Sequence, residues 1–172
     1  AGVRQDRAAI RFRSTGPEVT VELPLQSSAR ETEVLLDGKL ADVVSRAGGR
    51  IVVGIEPLEL QKSGGNSTAT HTLELRSRVR LTGAVITRHQ VSPPLLVGET
   101  TLSQAYWQII VPGDEHVIRS PAGMSSATQW QWLGSFFGQR PIMSQADLEE
   151  WSGATAQQSP TQSENEYLYT GL

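Results

Sequence analysis

The sequence predicts an all-β fold, mainly an antiparallel β-sandwich or barrel-like arrangement, with one short helix near residues 145–152. Three features carry that reading. Apolar residues recur at every second position through most of the chain, turn formers punctuate the runs at short intervals, and a single stretch has the start and stop chemistry of a helix. At 172 residues the chain is long enough to bury a core without staples. It has no cysteine with which to make any.

The elements follow in order. "RAAIRFR" sets Ala8, Ile10 and Phe12 on one face, with Arg7, Arg11 and Arg13 expected on the solvent side. "VTVEL" repeats the pattern with Val19, Val21 and Leu23, and Pro24 ends it. In "EVLLDGKLADVV", Asp37-Gly38 lies between two apolar arms, a strong hairpin signal because both residue types tolerate the positive φ of a tight hairpin turn. "RIVVGIEPLEL" is read as a strand cut or bent at Pro57, and "KSGGNST" as a loop. From His71 to Leu81 the odd positions are largely apolar and the even positions read Thr, Glu, Arg, Arg, Arg, which predicts one buried and one solvated face. A further strand is expected in "GAVITRHQV" after Gly83, a break in "SPPLLVGE", and a strand in "QAYWQIIV" ended by Pro112-Gly113. The helix has Ser144 as N-cap, Asp147 at the capping-box position, Leu148 and Trp151 on one face, and Gly153 as its stop. "GATAQQSPTQSEN" is polar and "EYLYTGL" reads as a closing strand. The expected organisation is a single β-rich domain over 1–152, a polar mobile loop over 153–165, and a terminal strand over 166–172 returning to the domain.

Composition narrows the chemistry. A net charge of −3 argues against nucleic acid as partner, since that affinity rests on neutralising phosphates. No run of eighteen apolar residues occurs, so no membrane insertion by this stretch is expected. The absence of cysteine removes thiolate nucleophiles and cysteine-based metal sites. There is no Gly-x-Ser-x-Gly elbow, no phosphate-binding loop and no His-Glu-x-x-His, and His71, His89 and His116 stand at unrelated spacings. No cofactor and no metal is expected. Asn66 opens a glycosylation sequon, a pattern short enough to arise by chance.

Three groups of residues carry the remaining alternatives. Asp114, Glu115 and His116 follow Pro112-Gly113 at a strand end. Neighbours in a turn point in different directions, so the expectation is a turn fixing the strand end against the tryptophan-rich region; the alternative is a hydrolase using His116 and a neighbouring acid. His71, on an apolar face, is expected to be a core histidine bonded to a backbone carbonyl. Trp130 and Trp132 in "QWQWL" point the same way if the segment is extended. They are expected in a local core beside Trp107 and Trp151, with a platform stacking on sugar rings as the alternative. Arg76, Arg78 and Arg80 share one strand face at about 7 Å spacing. The expected role is a solvated sheet face; the alternative is a polyanion clamp, because all basic residues but Lys39 and Lys62 are arginines, whose forks suit such ligands.

The stretches "YWQIIVPGDEHVIRSPAG", "QWQWLGSFFGQRPIMSQADLEEWSGA" and "NEYLYTGL" resemble the C-terminal, anchor-proximal region of large exported proteins of planctomycete-type bacteria. The resemblance covers roughly residues 105–172. It implies a β-rich module in an exported, membrane-anchored protein, hence an extracytoplasmic place at the periplasm or cell surface, and it brings no catalytic residues. The opening at Ala1 agrees with a piece of something longer. The expected function is a non-catalytic structural or interaction module, whose partners are neighbouring domains of the same chain or other surface proteins. The alternative is a carbohydrate- or polyanion-binding module using Trp130 and Trp132 or the Arg76, Arg78 and Arg80 row.

Overall fold

A computed structural model describes residues 2–24, 27–55, 69–80, 91–98, 100–117, 120–132, 134, 137–153 and 164–171. Pro57, the loop around Asn66, His89, the strand expected after Gly83 and most of the polar loop before residue 164 lie outside the described residues.

The strands in chain order are β1 (Val3–Ser14), β2 (Glu18–Glu22), β3 (Glu33–Leu36), β4 (Lys39–Leu40), β5 (Val43–Ala47), β6 (Arg50–Gly54) and β7 (Thr70–Arg80). They continue with β8 (Leu95–Val97), β9 (Thr100–Pro112), β10 (Ser125–Ser126), β11 (Thr128–Trp132), β12 (Phe137–Pro141) and, after helix α1 (Gln145–Ser152), β13 (Glu164–Gly171). Among the described residues a seven-stranded sheet has the order β10-β13-β9-β1-β7-β3-β4, a four-stranded sheet the order β5-β6-β2-β8, and β11 pairs with β12 alone. All pairings are antiparallel. The fold is an all-β sandwich-like arrangement with one short helix, as the alternation predicts.

The core lies between the two sheets. Phe12, Val34, Leu73, Leu75, Trp107, Ile109 and Tyr169 from the large sheet meet Val19, Val21, Ile51 and Val53 from the small one. Period-two alternation sends these side chains to a common face, and their burial supplies the main driving force for docking the sheets. Asp37 (φ 51°) and Gly38 (φ 77°) form the β3–β4 turn, both in the left-handed region that a two-residue hairpin demands. "SPPLLVGE" contains β8, contrary to the break expected there: Leu95–Val97 pair with β2 between Pro94 and Gly98. A proline cannot donate to a ladder, which keeps that strand short.

The outer face of the large sheet departs most from expectation. Arg7 was expected in solvent, and the even positions of β7 on a solvated face; yet Arg7 is only 4% exposed and Glu74 1%. Helix α1 is the reason. It covers this face, placing Leu148 with Ala127 and Leu168 in a second core, while Arg11 lies 4.3 Å from the Trp151 ring centroid and donates to the Trp151 carbonyl. Trp151 also meets Tyr106 edge-on at 5.0 Å. The helix ends match the sequence reading: the Ser144 and Asp147 capping box is complete and Gly153 closes the C-terminus at φ 69°.

Under the helix, Arg7 Nε donates to Glu74 Oε1 at 2.6 Å and Arg7 Nη2 to Ser152 Oγ at 3.1 Å, while Arg76 Nε reaches the same Glu74 oxygen at 2.5 Å. Burial by itself would raise the Glu74 carboxyl, but the hydrogen bonds from Arg7 and Arg76 outweigh it and hold the group below its ordinary value. Its stabilisation is therefore present above the unfolded-state value and lost as pH falls through the depressed one. Asp6, paired with Arg4 at 2.8 Å, has the opposite sign. Burial pushes its carboxyl up against the pull of Arg4, so its contribution is greatest at low pH and lost as pH rises through the raised value.

Two measurements check this account. Glu74→Gln is expected to cost about 3–5 kcal/mol in urea unfolding at pH 7, because two buried guanidinium groups lose their anion. The difference from wild type should narrow as pH falls through the Glu74 transition; a constant difference would mean the carboxylate charge is not what matters. Ser144→Ala is expected to cost about 1 kcal/mol through the lost N-cap, read from the same unfolding curves.

Candidate functional site

The local core expected for Trp130 and Trp132 in "QWQWLGSFFGQRP" is corrected by the structure. Thr128–Trp132 and Phe137–Pro141 form a two-stranded ribbon in which Trp130 pairs with Gln139 and Trp132 with Phe137. The ribbon is tied to the large sheet at its base, where the Ala127 amide donates to the Leu168 carbonyl and the Ile142 amide to the Ala127 carbonyl. Ala127 is buried there. Trp130 is 61% and Trp132 72% exposed. Because side chains alternate along a strand, the two indoles share a face about 7 Å apart. On the opposite face Gln131 is half-buried and Gln129 exposed. Among the described residues the ribbon pairs with no third strand. Trp107, by contrast, is 1% exposed in the sandwich core.

The arginine row lies on the outer face of the large sheet, beside the start of α1. A groove of about 570 Å³ is lined there by Gln5, Arg7, Arg76, Arg78, Arg80 and Gln145, among others. The three arginines are not equivalent. Arg76 is largely buried and engaged by Glu74 and, at 3.6 Å, by Glu33. Arg78 and Arg80 are exposed and form no ion pair among the described residues. The expected triple clamp is thus a pair. Gln5 lies across from Arg78 in the β1–β7 register, and Glu31 lines the groove as well. Neither was legible as a site residue in the sequence, since only the strand register brings them to the arginines.

The Asp114-Glu115-His116 stretch is a turn held to β13. The Glu115 amide donates to the Pro112 carbonyl, and Asn165 Nδ2 donates to the carbonyls of Gly113 (3.1 Å) and Glu115 (2.8 Å). His116 Nδ1 lies 3.2 Å from the Tyr167 hydroxyl. The turn does fix the end of β9, but against β13 rather than the tryptophan ribbon. Among the described residues neither Asp114 nor Glu115 hydrogen-bonds His116, and no cluster of His, Asp and Glu could hold a metal ion. His71 is buried as expected, but its partner is a carboxylate: Nδ1 lies 2.8 Å from Asp37 Oδ2, while Asp37 Oδ1 accepts from the Thr72 amide. This locks the hairpin turn to β7. No helix among the described residues is long and apolar enough to cross a membrane.

If the turn is a structural tie, Asn165→Ala should cost about 1–2 kcal/mol in urea unfolding through two lost hydrogen bonds. His116→Ala should stay within about 0.5 kcal/mol. The reverse order would make the histidine the holding group.

No family model matches the chain, and no curated protein or solved structure matches it.

Proposed function

We propose that the chain is a non-catalytic interaction module of an exported bacterial protein, and that it binds carbohydrate on the Trp130–Trp132 face of the β11–β12 ribbon. The observation that supports the binding reading is the exposure of both indoles on one side of a ribbon whose backbone pairing holds them in a fixed spacing. Large aromatic rings displayed together in water are costly for a soluble domain and are a mark of recognition surfaces. A pyranose presents an apolar C–H face to such rings, and its hydroxyls remain in water at the rim. The exported, membrane-tethered context rests on the resemblance of residues 105–172, which also speaks for neighbouring domains or surface proteins as partners.

A hydrolase using His116 is the weaker reading. Its imidazole faces Tyr167, while the acids beside it belong to a turn whose carbonyls are bound by Asn165. A site needs a base, an orienter and a pocket together.

The test is tryptophan emission with iodide quenching, titrated with neutral and acidic polysaccharides. A red-shifted, quenchable component is expected, absent in the Trp130→Ala/Trp132→Ala variant and shielded when glycan binds. Buried Trp107 should stay unquenched throughout. Quenching that no glycan alters would sink the carbohydrate reading and favour a purely structural module.

A further inference from the structure

We propose that the saccharide is anionic, carrying isolated carboxylates that Arg78 and Arg80 hold in the groove at the start of α1. The inference rests on the reading of the ribbon as a sugar platform and names the class of sugar. Connectivity links the two surfaces. β12 ends at Pro141, beside Thr128, and Gln145, four residues later, lines the groove. Four residues span at most about 14 Å. Trp130 stands two residues, about 7 Å, further along the ribbon, and the proposed oligosaccharide spans from the indoles to the arginines.

The groove's charges select the ligand. Arg76 is neutralised by Glu74 and Glu33, so it offers no charge to a ligand, whereas Arg78 and Arg80 are exposed with no ion pair among the described residues. A guanidinium fork matches a planar carboxylate with two parallel hydrogen bonds. Glu31 and Glu33 stand on the same groove and repel a densely charged chain. Gln5, across from Arg78, supplies an amide that can bond sugar hydroxyls. At the groove floor Arg7 Nη1 has no hydrogen-bond partner among the described residues and lies 3.9 Å from Glu149 Oε1. Two cations with no ion pair among the described residues, set among acids and amides, suit a mostly neutral chain with spaced carboxylates.

The experiment titrates the chain with a sparsely de-esterified oligogalacturonate (the acid, with isolated carboxylates), its fully methyl-esterified form (the ester) and a densely sulfated oligosaccharide. The acid is expected to bind roughly tenfold or more tightly than the ester, the worth of one or two charge-assisted hydrogen bonds. Arg78→Gln/Arg80→Gln should abolish that advantage, and added salt should erode the acid's advantage. Arg78→Lys/Arg80→Lys, which keeps the charge but not the fork, should retain part of it. Trp130→Ala/Trp132→Ala should lose both ligands. Equal, tryptophan-dependent binding of acid and ester would overturn this inference and spare the carbohydrate reading. Tighter binding of the sulfated oligomer would overturn the carboxylate class. Acid binding that needs the arginines but survives loss of both tryptophans would overturn the shared ligand. Failure of all three to bind a natively fluorescent chain would overturn the carbohydrate reading itself.

Discussion

The buried ion pair between Arg7 and Glu74 is the interaction on which the outer half of the molecule depends. Arg7 belongs to the central strand β1 and Glu74 to its neighbour β7, and both lie under α1, where Ser152 accepts from Arg7. Charges removed from water are tolerable only when paired and hydrogen-bonded, so the helix can sit on this face only because the pair exists beneath it. The dependence also runs in reverse, since without the helix the pair would be an ordinary solvated contact of little worth. Arg76 completes the network by binding the same Glu74 oxygen. That commitment divides the arginine row, with one member held in the fold and two left at the surface.

The same helix organises what surrounds it. Trp151 takes its place between Tyr106 and Arg11, and Leu148 joins Ala127 and Leu168, so the helix is packed by a few large contacts rather than by length. An eight-residue helix has little stability of its own, and its capping box and left-handed glycine stop are what define its ends. The ribbon enters the fold just before the helix and is tied to the large sheet at its base through Ala127 and Ile142. Its tryptophans are exposed. A tie at the other end of the large sheet, from Asn165 to the Gly113 and Glu115 carbonyls, closes β9 onto β13. The acidic turn is thus accounted for by backbone hydrogen bonding.

Short-range chemistry was legible in the chain. The Asp37-Gly38 turn, the Ser144 cap, the Gly153 stop and the inward face of β1 at Ala8, Ile10 and Phe12 all appear where residue type and spacing place them, because each depends on neighbours a few positions away. The direction of a strand's second face is different. Alternation says that Glu74, Arg76 and Arg7 lie opposite the core, but not whether water or a helix distant in the chain meets them.

The candidate site shows the same division. That Trp130 and Trp132 point the same way follows from the sequence by itself, as does the common face of Arg76, Arg78 and Arg80. Only the tertiary structure decided that the tryptophans are displayed, that Arg76 is engaged and that Gln5 joins Arg78 and Arg80. The physical reason is that periodicity assigns side chains to faces through local backbone geometry, whereas burial and charge pairing depend on which distant element covers each face.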